Sequence, residues 1–398
     1  MIIQETGRRS FFTTLLPLFV LAHFAHHLLT ALPVPLLPFI RNEFDLDYTQ
    51  SALVVSAFTL SYGIGQLPAG WLADRIGPRI LITIGICGVA LAGILVGLSQ
   101  IFIMIIIFLV LMGVAGGGYH PAAAPLISAS VETKKRGRAL GFHMIGGSGS
   151  FFLAPIIAAA IAGAWGWRGS FIGMAVPTAA FGIIFYILLN RMGGVSQAQQ
   201  VITNQLDETS PTPGHLRRLV AFMILTIFTI GVTFSIITLI PLFMVDHYSV
   251  SEETAARFLA IIYSAGLWAG PLGGYLSDRL GRVPLILAAT LIAGLVIYLI
   301  NLASYGFGIG AILLLLGITV YIRMPVAEAY IFGQTTGRHR STTFGIYYFA
   351  SMESGALFTP VLGYFIDNFG FYSSFTIASA ATVAVTLLCS VFLWGSWD

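Results

Sequence analysis

GWLADRIGPR runs from Gly70 to Arg79, and GYLSDRLGRV from Gly274 to Val283. Both phrases read Gly, three residues, Asp-Arg, one residue, Gly, and they stand 204 residues apart. Only 9% of the 398 residues are charged and 57% are hydrophobic, whereas a soluble domain carries about 25% charged residues. An Asp-Arg pair repeated in register within such a composition points to a duplicated unit. The same offset carries His120-Pro121 onto Met324-Pro325 and Gly141 onto Gly345 without a gap.

The uncharged runs set the class. Leu81 to Thr133 contains one charged residue, Glu132, and Ala139 to Trp167 contains none. A bilayer-spanning helix needs about 20 mainly apolar residues, so the chain reads as an all-α membrane protein. Turn residues and charges divide it into twelve transmembrane helices, predicted at 11–40, 48–73, 79–98, 100–130, 138–164, 168–190, 219–245, 254–277, 283–303, 306–333, 341–366 and 371–395. The stretch 191–218 is rich in Gly, Ser, Pro and Gln and reads as a linker. It separates an N-terminal six-helix bundle, 1–190, from a C-terminal one, 219–398, giving two pseudo-symmetric halves.

The first apolar run, from Phe11, shows no small-residue cleavage site in ALPVPLLP and is expected to remain as a helix. Cys87 and Cys389 both lie in apolar runs and read as small core residues, not a disulfide. The formal net charge of +3 calls for no acidic macromolecular partner, and no nucleic acid is expected. With the N-terminus in the cytoplasm, all but four of the 19 basic residues fall on that side. Arg41, Arg168 and Arg257 fall opposite, and Arg323 lies inside a helix. Both termini and the linker are therefore expected to be cytoplasmic, in a multi-pass protein of the inner or plasma membrane. A duplicated half with both ends on one side suits a rocking transporter whose path runs between the halves.

These phrases resemble the signature loop of the major facilitator superfamily, and the likeness covers the whole chain: twelve spans, a central linker and both loop copies. The resemblance implies that the loops act as a cytoplasmic latch. Its residues would be Gly70, Asp74, Arg75, Gly77 and Arg79 in one copy, and Gly274, Asp278, Arg279, Gly281 and Arg282 in the other. The glycines are expected to permit close backbone approach. Pro78 replaces the first basic residue of the first copy and Val283 the second of the second. A narrower likeness, to the fosmidomycin-resistance-type branch, is carried by GVAGGGYHPAAAPLISAS, RALGFHMIGGSGSFFLAPIIAA and HHLLT. The fifth helix also resembles the antiporter motif of drug exporters, with small residues or Pro at Gly141, Ser150, Ala154, Pro155, Ala158 and Ala159, although small residues equally serve close helix packing. The fourth helix lacks the Arg that those exporters carry there.

Ionisable groups at membrane depth cost about 2.5–3.5 kcal/mol even on the lenient insertion scale, and mark function by default. Arg323, Glu328 and Glu353 stand out, with His23, His26, His27, His120 and His143. At about 1.5 Å per residue, most lie about 18–24 Å from the cytoplasmic ends of their helices, and Glu328 lies about 14 Å in. The superfamily resemblance implies that the first, fourth, seventh and tenth helices line a central cavity. A substrate and proton pathway is thus expected from His23, His27, Tyr119, His120, Tyr321, Arg323, Glu328 and Glu353. Arg323 would bind an anionic group or pair with an acid, Glu353 being one possible partner. His23 and His27 share a helix face, yet no carboxylate or thiolate stands at ligand spacing and no HExxH occurs. No metal and no cofactor is expected.

The nucleotide phosphate-loop pattern GxxxxGK[ST] is absent, so energy would come from a gradient. The leading expectation is a secondary active transporter, not an enzyme, exporting a small organic or drug-like compound by proton-coupled alternating access. Proton-coupled uptake of a small organic anion is the alternative. A membrane-embedded His-metal protein and a passive channel are the rival classes. Its partners would be the small-molecule substrate, protons and the lipid bilayer, and the family resemblance implies a monomer.

Overall fold

The computed structural model describes residues 15–132, 135–191, 215–335 and 340–393. Arg8, Arg9, Lys134, Arg338, His339 and 192–214 of the linker lie outside the described residues, and the side chain of His215 is likewise not described. The N-terminal elements are α1 (Leu16–Thr30), α2 (Leu37–Phe44), α3 (Tyr48–Ile76), α4 (Pro78–Gly97), α5 (Phe102–Gly116), α6 (Tyr119–Ala129) and α7 (Arg136–Arg191). They are followed by α8 (His215–Tyr248), α9 (Glu252–Ser264), α10 (Ala269–Leu280), α11 (Arg282–Ile300), α12 (Phe307–Gly333) and α13 (Arg340–Leu393). No strand occurs among the described residues.

Among the described residues, eight helices are long and apolar enough to cross a membrane, and the pair α9–α10, bent by 45°, makes nine. Helices α7 and α13, with 56 and 54 residues, cannot be single spans. At 1.5 Å per residue each would reach about 80 Å, against a hydrocarbon core of about 30 Å. Each is broken at a glycine, Gly166 and Gly370, both at φ 72°. Divided there, and with the shorter apolar α1, they complete the twelve segments of the expected fold. Large apolar side chains are left outward, among them Leu67, Leu91, Leu388 and Val391, which suits a lipid solvent.

The first predicted helix, 11–40, is interrupted. Helix α1 stops at Thr30 and α2 begins at Leu37. Pro33 and Pro35 lie in the gap, and each lacks a helical N–H and disfavours helix in the residue before it. The fourth predicted helix, 100–130, also loosens, between α5 and α6 at Gly117 and Gly118.

The duplication is visible in the backbone. The left-handed positions Asp45 (φ 51°) and Ser249 (φ 53°), Gly77 (φ 89°) and Gly281 (φ 86°), and Gly166 and Gly370 (both φ 72°), all pair at the offset of 204. A close crossing repeats as well. A Cβ on Gly113 would fall 2.5 Å from the Phe58 carbonyl oxygen, and one on Gly317 would fall 2.3 Å from that of Ile262.

The signature loops need a correction. A Cβ at Gly70, Gly77 or Gly274 meets nothing within 4 Å, so close approach does not explain those glycines in this structure. Gly77 and Gly281 instead supply a backbone region (ψ 143° and 150°) that other residues avoid. The two departures from the signature also have local causes. Pro78 is the first residue of α4, where its missing N–H costs nothing. Val283 is 2% exposed within the core around Phe222 and Ile286, where a second cation would lose its hydration. Arg75 stacks on Trp71 at 4.1 Å and Arg279 on Tyr275 at 4.6 Å, again paired by the offset.

The chain forms two compact units, Met1–Phe44 with Ala57–Thr203, and Asp45–Ser56 with Asn204–Asp398. In the second, the Asp367 carboxylate accepts from the backbone N–H groups of Tyr48 (2.9 Å) and Thr49 (3.0 Å), and Tyr48 donates to Asp246 (2.6 Å). Asp367 thereby caps the start of α3, satisfying donors that have no partner within the helix. In the first unit, Glu43 accepts from Trp167 (2.7 Å) and from Arg168, whose guanidinium also donates to the Ser99 carbonyl.

Candidate functional site

Among the described residues, each unit buries a cluster of ionisable side chains, and the two differ in chemistry. In the first unit, α1 carries His23, His26 and His27 across one turn, so their rings reach α3, α6 and α7. His23 donates from Nδ1 to the His143 carbonyl (2.8 Å), and His143 donates from Nδ1 to the Phe19 carbonyl (3.1 Å). A carbonyl only accepts, so both rings carry the proton on Nδ1 and present a bare Nε2 lone pair. Neither Nε2 has a partner. The two rings stack at 4.1 Å. His26 pairs through Nε2 with the Tyr62 hydroxyl (3.1 Å) and stacks on Tyr119 at 4.5 Å. His27 is bonded to Thr30 through Nδ1 (3.0 Å) and meets His120 Nε2 to Nε2 at 3.0 Å.

Two glycines make room for this packing. A Cβ on Gly147 would lie 2.6 Å from Cε1 of His23, and one on Gly146 would lie 2.2 Å from the Val20 carbonyl oxygen. The Gly-rich opening of the fifth span thus lets α7 press against the histidine face of α1. Sequence reasoning put His23, His27, Tyr119 and His120 in the pathway, and the structure brings all four together. Tyr62 was not anticipated, since nothing in a lone tyrosine on α3 signals that it faces His26.

In the second unit, Arg323 is 4% exposed. Its Nε donates to the Thr319 carbonyl (3.1 Å), one terminal nitrogen reaches Thr233 Oγ1 at 3.4 Å, and the other has no partner. Among the described residues no carboxylate pairs with it. Glu353, offered above as a possible partner, is 5% exposed and neither of its oxygens accepts a hydrogen bond. Glu328 accepts from the Tyr348 hydroxyl, and the Tyr347 phenol lies near both Arg323 and Glu328. The Tyr321 ring is packed where a Cβ on Gly266 would come within 2.9 Å, at the bend of α9–α10. Thr233, Tyr347 and Tyr348 were missed, although Tyr347 lies 204 residues after His143 and the offset was the available signal.

The arrangement holds a buried guanidinium with one terminal nitrogen left without a partner. A guanidinium with a free donor can bind an anionic group. Comparison with known proteins places the chain. The family profile described as Major Facilitator Superfamily matches residues 19–322 and 223–396. The chain is 26% identical to the "Probable sulfoacetate transporter SauU" of Cupriavidus necator, covering 89% of this chain and 87% of that one. It is also 26% identical to the multidrug resistance protein MdtG of Proteus mirabilis, with 92% of each covered. Among solved structures, a POT family transporter in complex with a thioalcohol-conjugated peptide superposes with a TM-score of 0.79, at 15% identity and 97% coverage of both chains. The protein is an integral multi-pass membrane transporter, and it belongs to the Major Facilitator Superfamily.

Proposed function

We propose that the protein takes up a small organic anion, a carboxylate or sulfonate of a few carbons, by proton-coupled alternating access. The observation that carries this is Arg323: a nearly sealed guanidinium with an unmade hydrogen bond and no carboxylate partner among the described residues. Desolvating a cation costs several kcal/mol, and an anionic solute that arrives during the cycle offsets that cost. Similarity to a relative named for sulfoacetate supports the substrate class. Glu328, which accepts from the Tyr348 hydroxyl, and Glu353 are the proton carriers. Both termini are cytoplasmic, the two Asp-Arg loops are the latch, and the working unit is a monomer.

Export of a drug-like compound is the second reading, supported by the similarity to MdtG. The likeness to the fosmidomycin-resistance-type branch rests on the Tyr119-His120-Pro121 phrase and the Gly-rich span after it, which meet in the histidine cluster.

Purified protein in liposomes, loaded with a pH gradient and offered sulfoacetate and short carboxylates, tests the proposal. Wild type accumulates the anion. Glu328→Gln loses accumulation while keeping exchange, and Arg323→Gln loses both. Accumulation that ignores the pH gradient, or anion binding that survives Arg323→Gln, defeats it.

A further inference from the structure

The histidine cluster contains more than proton or solute contacts require. We propose that His23, His27 and His120 form a three-imidazole site for a borderline divalent transition ion such as Zn²⁺, with the remaining coordination position open. Sequence spacing offered only two imidazoles on one face of α1. The fold supplies the third from α6.

Three observations carry the assignment. First, one ligand atom from each of His23, His27 and His120 lies within 4.8 Å of the others. A tetrahedral ion about 2.0–2.1 Å from each nitrogen sets ligands roughly 3.3 Å apart. The His27–His120 separation of 3.0 Å is already near that value. Second, the tautomers are prepared. The His143 carbonyl holds the His23 proton on Nδ1, so Nε2, buried and without a partner, is left to coordinate. His27 has Thr30 Oγ1 at its Nδ1, where a proton displaced from Nε2 finds an acceptor. Histidine ligands to metals are oriented in this way, through the nitrogen that does not bind the ion. Third, two nitrogens meeting at 3.0 Å share at most one proton between two lone pairs, whereas an ion engages both. His120 is only partly buried. Uncharged imidazoles with no carboxylate select a borderline ion over Mg²⁺ or Ca²⁺, which take oxygen ligands.

The site lies in the first unit and does not depend on the anion reading, which rests on Arg323 in the second. The test uses full-length purified protein with any affinity tag removed, and Co²⁺ alone as the probe. Wild type is expected to bind one Co²⁺ per chain, giving the intense visible absorption of a tetrahedral site, and Zn²⁺ displaces it. His120→Gln and His27→Gln each weaken binding by about 100-fold or more, beyond the range for losing an outer partner, while His247→Gln leaves it unchanged. Absence of a stoichiometric tetrahedral spectrum in wild type overturns the proposal whether or not the variants fold. So does binding that persists in both His120→Gln and His27→Gln, and His27 and His120 are then a hydrogen-bonded pair only. Sulfoacetate accumulation measured in the same preparation separates failure of this site from failure of the transport reading.

Discussion

At Gly147 the worth of a missing methyl group can be read from distance alone. An added Cβ there would stand 2.6 Å from the His23 ring, and at Gly146 it would stand 2.2 Å from a backbone oxygen. Gly147→Ala and Gly146→Ala are each expected to lower stability by about 1–3 kcal/mol, the usual cost of overpacking. Gly141, on the same helix, meets nothing within 4 Å, so Gly141→Ala should be neutral or gain about 0.5–1 kcal/mol from helix propensity. Thermal unfolding of the three purified variants checks the order, and equal effects at Gly141 and Gly147 would remove the packing argument. At this scale the sequence was partly legible. A lone arginine or a run of histidines in an apolar helix announces itself because burial is expensive. Its partners do not, because Thr233 and Tyr62 are polar residues common in any helix and become meaningful only when another helix faces them.

Among elements, the signature loops divide their glycines into two kinds. Gly77 and Gly281 sit at φ 89° and 86° between consecutive helices, so alanine there should cost about 1–3 kcal/mol in backbone strain. Gly70 and Gly274 have ordinary helical placement and open space, so alanine should change stability by less than about 0.5 kcal/mol. A matched set of four alanine variants, followed by thermal unfolding, tests the division. A second contact between elements is sensitive to acid. Burial raises the Glu43 carboxyl, but hydrogen bonds from Arg168 and Trp167, with the Arg168 charge, outweigh it and hold the group below the ordinary carboxylate value. A depressed folded-state value means that the stabilisation is present above the unfolded value of about 4.3 and is lost as pH falls through the folded one. Wild type should therefore lose stability more steeply than Glu43→Gln between about pH 5 and pH 3, and parallel unfolding curves would show the bridge to be idle. Helix existence was legible throughout because twenty-residue apolar runs have few alternatives. The break at Ala31–Leu36 was written in Pro33 and Pro35, yet a long apolar run masked it.

Across the whole molecule, duplication fixes the scaffold while the buried chemistry has diverged. Tyr119 and Arg323 are separated by 204 residues, as are His143 and Tyr347, so corresponding places carry a phenol or an imidazole in one unit and a guanidinium or a phenol in the other. The backbone kept two pairs of left-handed glycines, Gly77 with Gly281 and Gly166 with Gly370, in both copies because these helix connections are geometric demands shared by the halves. Side chains facing a solute are under no such shared demand. Two clusters built on corresponding positions but from different chemistry should answer to different ligands. Arg323→Gln is expected to abolish stabilisation of the purified protein by sulfoacetate while leaving Co²⁺ stabilisation within experimental error of wild type. His120→Gln should abolish the Co²⁺ effect. Its effect on sulfoacetate then measures how far the units are coupled: an unchanged shift assigns anion recognition to the second unit alone. Loss of both responses in either variant would mean that the two clusters act as one site, and the division of labour argued from the repeat would fall.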